Sequence, residues 1–279
     1  MASEPGAGQV PSAEQLLAWA DRGERWPPSV ATPAFTDVPA AYQTALALRA
    51  LRQARGERPR GFKIGFTTRN IWPIYQVFAP IWGTVWDSTL HATDAQGAGT
   101  LDLHATCEPR LEPELVFAFR HTPPAGANLA QLFDALDWLA PGVEIVQSHR
   151  PNWRFAAVAE TVADGGLHAR LLVGPRIAVR DFAGSATDMQ AKLAAAELTL
   201  FGPDGQPAES GRGANVLDDP LLALHHFLTE LRQCPGAPDV QPGDVVTTGT
   251  WTDAWPVAPC QHWQVRYSAP LGQLDVRFS

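Results

Sequence analysis

The sequence contains little cysteine, and its three cysteines lie far apart. Cys107, Cys234 and Cys260 are the only ones in a chain of 279 residues. An odd number without close spacing forms neither a disulfide framework nor a cysteine zinc site. This pattern is typical of a cytoplasmic protein, and we predict that location.

Basic runs and long apolar segments are also missing. The net charge is −8, and no stretch is rich in lysine and arginine, which argues against nucleic acid or an anionic membrane as the main partner. No uninterrupted apolar run is long enough to span a bilayer, and the N-terminus lacks the basic and apolar regions of a signal peptide. A small molecule is the expected partner.

Several familiar catalytic motifs are absent as well. The eight histidines form no HxxxH or HExxH pattern, and the chain has no GxSxG elbow and no phosphate-binding P-loop. A histidine-bound metal, a serine hydrolase and a P-loop enzyme are therefore not predicted.

Glutamates occur in a segment that otherwise has the pattern of a buried strand. Residues 108–119 include Glu112 and Glu114, whose side chains share one face of an extended chain. Adjacent carboxylates repel each other unless a cation lies between them, and oxygen ligands suit a hard ion such as Mg2+ or Mn2+ rather than zinc. The spacing therefore predicts metal-assisted chemistry.

A third isolated glutamate, Glu144, interrupts the apolar segment 142–146. With Glu112, Glu114 and Glu144 as ligands, a six-coordinate ion keeps about three positions for water or substrate. The alternative is that each glutamate pairs with an arginine at a strand end, such as Arg110 or Arg150. Spacing alone leaves both interpretations open.

Lys63 is the only charge in the apolar segment 61–66. Burial lowers the pKa of a lysine and nearby carboxylates raise it, so the sequence does not fix its protonation state. Lys63 can transfer a proton or bind a substrate carboxylate, or its ammonium group can simply reach solvent. In the segment 241–250, backbone N–H groups and the Thr250 hydroxyl can hold an anionic substrate group.

The hydrophobic pattern changes along the chain. Residues 1–11 are small, polar and rich in proline and glycine, which predicts disorder. Helices are predicted after the capping residue Ser12 and over residues 39–55, strands dominate from about residue 85, and later helices are predicted only over 128–139 and 220–232. We predict an α+β protein with a helical N-terminal lobe, residues 1–86, and a β-rich catalytic domain, residues 87–279.

Five motifs occur in one order: GFKIGFT (61–67), EPRLEPE (108–114), GVEIV (142–146), TVAD (161–164) and PGDVVTTGT (242–250). Together they resemble the 2-keto-4-pentenoate hydratase / 4-oxalocrotonate decarboxylase family, within the fumarylacetoacetate hydrolase superfamily. The resemblance covers about residues 35–279. It implies a strand-rich mixed β-roll body and a 2-oxo or 2-hydroxydienoic acid substrate.

The same resemblance assigns roles to residues of this chain. It implies that Mg2+ or Mn2+ binds Glu112, Glu114 and Glu144, and that Lys63 is the catalytic residue. The residues predicted to bind substrate are Arg110, Thr68, Asp164 and Thr250.

The chain departs from the family pattern near these residues. Hydratases of this family often carry an aspartate where this chain has Ile81, and another where it has Gln147. The usual Asp-Asn pair is here Asp164-Gly165. The three predicted metal ligands are intact, whereas the acid/base and substrate-binding surroundings are altered, so a changed substrate or reaction is a second hypothesis.

The predicted activity is a divalent-metal-dependent lyase that hydrates a 2-hydroxydienoate to a 4-hydroxy-2-oxo acid in the catabolism of ring compounds. Alternatives are decarboxylation or tautomerisation of a vinylogous 2-oxo acid, and a non-catalytic partner subunit. Hydrolysis is ranked lower because no recognisable motif surrounds the candidate bases His91 and His104. The resemblance also implies a homo-oligomer, with possible association with a related decarboxylase or hydratase subunit.

Overall fold

The chain folds into helices packed around two β-sheets. The computed structural model describes residues 8–69, 72–75 and 78–279. Its helices are α1 (Ala13–Arg22), α2 (Val38–Ala54), α3 (Trp72–Tyr75), α4 (Leu129–Ala135), α5 (Val158–Ala163), α6 (Val179–Phe182), α7 (Ala186–Ala195) and α8 (Pro220–Gln233). No helix in this described part is long and apolar enough to cross a membrane. The predicted α+β class is confirmed.

The larger sheet has the strand order β2-β1-β11-β5-β6-β7-β3, with β12 added to β5 and β8 added to β6. The bounds of these strands are β1 (Pro59–Gly65), β2 (Ile81–Trp86), β3 (Leu90–Ala92), β5 (Arg110–Phe119), β6 (Leu136–Val146), β7 (His168–Val173), β8 (Ile177–Ala178), β11 (Val245–Thr247) and β12 (Trp255–Pro256). The long antiparallel pair β5 and β6 lies in the middle of the sheet. Almost all of their residues are buried, which explains their nearly continuous apolar sequences.

The smaller sheet has the order β10-β9-β13-β14-β4. Its strands are β4 (Ala98–Leu101), β9 (Glu197–Phe201), β10 (Pro207–Arg212), β13 (His262–Tyr267) and β14 (Gln273–Phe278). The buried Tyr267 connects the two sheets, because its hydroxyl lies 2.8 Å from the Glu114 carbonyl oxygen and 3.0 Å from that of Gly142. The smaller sheet thus braces β5 and β6 at the level of the glutamates.

The N-terminal helices begin where capping residues occur. Ser12 and Gln15 form a reciprocal capping box at α1, and Asp37 caps α2 by accepting from the Ala40 N–H group. Disorder was predicted for residues 1–11; within the described part, Gln9 forms a β-bridge with Val30, in which the Gln9 N–H group donates to the Ser29 carbonyl oxygen and the Ala31 N–H group donates to the Gln9 carbonyl oxygen. Residues 1–7 lie outside the described residues.

Two helical predictions need correction. The helix predicted over 128–139 ends at Ala135, and residues from Leu136 onward form β6. The apolar residues that follow Leu136 are compatible with a helix or a strand. They form a strand because β5 provides hydrogen-bonding partners for them. Three further helices, α5, α6 and α7, occur in segments for which no helix was predicted. The domain division at residue 86 stays a prediction; β1 and β2, which precede it, pair within the larger sheet.

Candidate metal centre and cavity

The pairing of β5 with β6 brings the three glutamates together. Glu112 lies directly opposite Glu144 in this antiparallel pair, and Glu114 follows two residues later on the same face of β5. One carboxylate oxygen from each of the three residues lies within 4.8 Å of the other two. Three carboxylates at this separation form a compact oxygen cluster.

Glu114 is held from the neighbouring strand end. Its side chain is fully buried, and its Oε2 atom accepts hydrogen bonds from the Gly249 N–H group, at 2.7 Å, and from the Thr247 hydroxyl. The N–H groups of residues 241–250 were predicted to hold an anionic substrate group. The Gly249 N–H group instead binds a carboxylate of the protein itself. The other oxygen, Oε1, is buried and has no hydrogen-bond partner among the described residues.

Glu144 is held by a histidine and faces a lysine. The His168 Nδ1 atom lies 2.8 Å from Glu144 Oε1, and the Thr89 hydroxyl lies 2.8 Å from His168 Nε2. Because an ionised carboxylate only accepts, His168 donates from Nδ1. Burial lowers the pKa of His168, and in the neutral ring Nε2 accepts the Thr89 proton. The second oxygen, Oε2, lies 3.3 Å from Lys63 Nζ but accepts no aligned hydrogen bond from the described residues.

The electrostatics of the cluster favour an additional cation. Burial and the neighbouring carboxylate of Glu144 raise the pKa of Glu112 to about 7, although Lys63 opposes this. Burial, with Glu144 and Glu112, raises the pKa of Glu114 well above its ordinary value. Burial alone would lower the pKa of Lys63, but the three carboxylates outweigh it and raise that pKa. A single ammonium group does not neutralise three carboxylates.

The donor set fits a hard divalent cation. Two buried carboxylate oxygens, Glu114 Oε1 and Glu144 Oε2, lack hydrogen-bond partners within the described ranges, and Glu112 supplies a third carboxylate. An unpaired buried acceptor is costly, so atoms left free in this way are suited to binding an ion. All donors are oxygen, which Mg2+, Mn2+ and Ca2+ prefer.

A cavity of about 130 Å³ lies beside the cluster. Four of the predicted site residues line it, namely Lys63, Glu112, Thr68 and Thr250. Its other walls include Ile81, Trp153 and Leu167, which make it largely apolar. The Thr250 hydroxyl is engaged in its own turn, donating to the Thr252 carbonyl oxygen at 3.0 Å and accepting from the Thr252 N–H group at 3.2 Å.

The two remaining predicted substrate ligands do not line this cavity. Arg110 contacts Trp153, which is part of the cavity wall; the Arg110 guanidinium carbon lies 4.5 Å from the centre of the Trp153 ring. Asp164 binds His149 instead, with 2.6 Å between Asp164 Oδ1 and His149 Nδ1. Their predicted roles in substrate binding stay predictions, and the structure gives each a different contact.

Neither arginine considered as a partner forms an ion pair with a glutamate of the cluster in the described structure. Arg150 bonds to Glu160, and Arg110 lies over Trp153. His168, which contacts the cluster, was not predicted from the sequence, where only His91 and His104 were candidate bases. No motif marks His168; only the pairing of β6 with β7, which includes a register shift beside Val146, brings it to Glu144.

Comparison with known proteins places the chain. No protein-family model matches it. A 2-keto-4-pentenoate hydratase from Burkholderia vietnamiensis is 30% identical over 216 residues, covering 76% of each chain. The structure of 4-oxalocrotonate decarboxylase from Pseudomonas putida G7 matches with a TM-score of 0.78 and 25% identity, covering 98% of this chain and 100% of that one.

A fumarylpyruvate hydrolase structure from Pseudomonas aeruginosa shares the fold, with a TM-score of 0.56 and 16% identity over 78% of this chain and 88% of that one. The resemblance inferred from five motifs is therefore confirmed, as is the predicted type of fold. The chain belongs to the 2-keto-4-pentenoate hydratase / 4-oxalocrotonate decarboxylase family of lyases.

Proposed function

We propose that this protein is a divalent-metal-dependent lyase that hydrates a 2-hydroxydienoate to a 4-hydroxy-2-oxo acid. The observation that carries the proposal is the cluster of Glu112, Glu114 and Glu144 beside Lys63 in an apolar cavity. The 30% identical relative is a hydratase, and the matching decarboxylase structure contains magnesium and adipate. Mg2+ or Mn2+ is the proposed ion.

The three carboxylates would hold the metal, each with a distinct support. His168 orients Glu144, the Thr247 hydroxyl and Gly249 N–H group orient Glu114, and Glu112 faces the cavity. When bound, the metal supplies a Lewis acid that polarises the 2-oxygen of a 2-oxo acid. The fixed hydrogen bonds keep the ligand oxygens in place before the ion arrives, which favours a defined coordination geometry.

Lys63 is the proposed proton-transfer residue. Its side chain is only 4% exposed, its Nζ lies 3.3 Å from Glu144 Oε2, and it lines the cavity. The raised pKa keeps a proton on Nζ, available to the carbon chain of a dienol. Ketonisation places that proton on the terminal carbon of the dienol, while the enol hydroxyl loses its own proton, which returns to the Lys63 amine. The product is a conjugated alkene, and water adds across it with the hydroxyl on the carbon distal to the 2-oxo group and a proton on the carbon next to that group. The walls formed by Ile81 and Leu167 contact the apolar part of such a substrate.

Decarboxylation is the second candidate, and one residue favours it. Ile81 is 3% exposed and lines the cavity where hydratases of the family often carry an acidic side chain. Loss of CO2 from a vinylogous 2-oxo acid needs the same stabilisation of negative charge at the 2-oxygen but no group to direct water. An apolar wall is compatible with that reaction.

Turnover measurements separate these possibilities. Purified protein is mixed with 2-hydroxypenta-2,4-dienoate or 4-oxalocrotonate, with Mg2+, Mn2+ or a chelator, and ultraviolet loss of the dienol is followed. Metal-dependent conversion of the first compound to a 4-hydroxy-2-oxo acid supports hydration, and CO2 release from the second supports decarboxylation. Simple formation of the keto form indicates tautomerisation. Stoichiometric metal binding without turnover of either compound favours a non-catalytic partner subunit.

The assembly and domain organisation are also proposals. We infer a homo-oligomer, able to associate with a related hydratase or decarboxylase subunit, on the basis of the family. Light scattering of the purified chain, alone and mixed with such a subunit, measures both.

A two-domain division at residue 86 predicts that residues 87–279 fold alone. The pairing of β1 with β11 and β2 argues that this fragment loses stability.

A further inference from the structure

A second cavity, of about 60 Å³, lies between the N-terminal helices and β2. Aliphatic side chains of α1 and α2 form one wall, including Leu16, Leu46 and Leu48. The opposite wall is formed by Trp82 of β2 and by residues that follow β6 and α5, including His149. The cavity is therefore apolar on one side and polar on the other.

Three buried nitrogen atoms without partners belong to residues that line this cavity. They are Arg49 Nε, Trp82 Nε1 and His149 Nε2, and none has a hydrogen-bond partner in the described part of the chain. Trp82 is 3% exposed and His149 is 2% exposed. A buried polar atom left unpaired costs about 1–3 kcal/mol, so three around one cavity indicate a site for a ligand that accepts hydrogen bonds.

Neighbouring contacts fix two of these groups in position. The Trp82 ring is stacked on Tyr42 with 4.5 Å between ring centres, and its backbone N–H donates to the Tyr42 hydroxyl. His149 Nδ1 lies 2.6 Å from Asp164 Oδ1, and this carboxylate raises the pKa of His149 although burial opposes it, so that the protonated ring donates to Asp164 from Nδ1 and presents its Nε2–H group to the cavity. The donors are therefore held before a ligand binds, which reduces the entropic cost of binding.

Among the residues that the structure describes, the cavity is lined by one cation without an ion-pair partner, which suits a ligand that carries one negative charge. Arg52 also lines it, but its guanidinium is bonded to Glu57, and His149 is paired with Asp164. Arg49 forms no ion pair within 4.0 Å with any residue that the structure describes. One uncompensated cation, two further donors and aliphatic walls suit a monoanion with a short apolar part, and the volume excludes nucleotides.

We propose that this cavity binds a small aliphatic monocarboxylate, of the size of propionate, with its carboxylate on Arg49, Trp82 and His149 and its chain against Leu16, Leu46 and Leu48. The second cavity shares no described lining residue with the cavity at the proposed metal centre, although His168, which contacts Glu144, lines the second cavity. Gly83 packs so closely on Gly165 that a Cβ atom at Gly83 would lie 2.2 Å from the Gly165 carbonyl oxygen. Gly165 lines the second cavity, whereas the next residue, Gly166, lines the first.

Nuclear magnetic resonance of the tryptophan indole N–H groups tests the proposal without substrate or metal. The Trp82 signal is assigned by its loss in Trp82→Phe, which keeps an aromatic ring on Tyr42. Trp251 is the matched internal control, because its Nε1 is also buried and unpaired but lies at another cavity. On titration with propionate, we expect the Trp82 signal to shift and saturate while the Trp251 signal stays in place.

Variants and related compounds complete the test. Arg49→Met should weaken propionate binding at least about tenfold, the effect of losing a hydrogen bond to a charged group. Arg212→Met, the same change at an exposed arginine of β10, should leave binding unaltered. A stationary Trp82 signal, an equal shift with the neutral propionamide, or unchanged binding in Arg49→Met would each overturn the proposal. A response to inorganic phosphate but not to propionate would overturn the carboxylate assignment.

Discussion

Two regions of the molecule bury glutamates completely, and they differ in how those carboxylates are paired. Glu160 of α5 accepts hydrogen bonds from the Ala34 N–H at 2.7 Å, the Ala156 N–H at 2.9 Å and the Arg150 guanidinium. Glu114 and Glu144 are equally buried, but each keeps one oxygen without a hydrogen-bond partner in the described part of the chain. Burial alone therefore does not separate a structural from a functional carboxylate, whereas incomplete pairing does.

The difference has an energetic meaning. Both oxygens of Glu160 are satisfied and its charge faces an arginine, so this residue fastens the segment before α2 to α5. The cluster on β5 and β6 holds three carboxylates, and among the described residues Lys63 is the cation within 4.0 Å of one of them. Like charges in a dry site destabilise the fold unless a cation compensates them. The Glu160 site is complete without a ligand, and the cluster is not.

The largest expected effect comes from Lys63, whose ammonium group lies beside the cluster. Lys63→Met should lower turnover by roughly 10²–10⁴-fold, the usual contribution of a positioned proton-transfer group, while the metal-loaded protein stays folded. Circular dichroism and bound Mn2+ check the fold and the metal site. The chain contains one other lysine, Lys192, which is exposed and paired with Asp188. Lys192→Met is thus the matched control, and an equal loss in both variants would contradict a catalytic role for Lys63.

Replacing glutamates in the two regions should give opposite results. Glu160→Gln leaves Arg150 buried without its partner and should cost about 3–5 kcal/mol of unfolding free energy, with Mn2+ affinity unchanged. Glu112→Gln removes a charge that is repelled by its neighbours, so the metal-free protein should gain thermal stability while Mn2+ affinity falls. Urea unfolding and Mn2+ titration measure both quantities. If Glu160→Gln weakened Mn2+ binding as much as Glu112→Gln, the distinction between the regions would fail.

A smaller effect is expected from the histidine that supports Glu144. His168→Ala should weaken Mn2+ binding about 10- to 100-fold, the usual cost of losing a partner that orients a metal ligand. His168→Asn, which restores an N–H donor near the Nδ1 position, should recover part of that affinity. His262→Ala is the control, because this histidine is exposed on β13 and pairs only with Asp275 among the described residues. Equal affinity in His168→Ala and the wild type would remove His168 from this role.

Much of this contrast could be predicted from the sequence, because isolated charges in apolar segments are visible there. The pattern indicated a metal site on Glu112, Glu114 and Glu144 as one of two interpretations, and the family resemblance added Lys63 to it; the structure brings the four residues together. Pairing between distant strands is not visible in the same way. The position of Glu112 opposite Glu144, and the approach of His168 through the irregular pairing of β6 with β7, depend on register.

Other features depend on contacts between elements that no local pattern specifies. The helix predicted over 128–139 became a strand from Leu136 because β5 supplies its hydrogen-bonding partner. Glu160 resembles the cluster glutamates in sequence, since it too stands among apolar residues, and only its contacts with Arg150 and Ala34 show that it is fully paired. Arg49, Trp82 and His149 come from three separate elements, so their shared cavity could not be predicted.

The smallest expected effect is the pH dependence that the cluster contributes to stability. Burial raises the pKa of Glu112 from 4.5 to about 7, and that of Glu114 also rises, so between these pH values the folded protein holds more protons than the unfolded chain. Stability contributed by the protonated form is complete below pH 4.5 and is lost as pH rises towards 7. The metal-free protein should therefore melt at lower temperature at pH 7 than at pH 5, and Mg2+ should reverse the loss at pH 7. Glu112→Gln should flatten this dependence, since its amide does not titrate. A slope that is unchanged in this variant would show that other groups govern it.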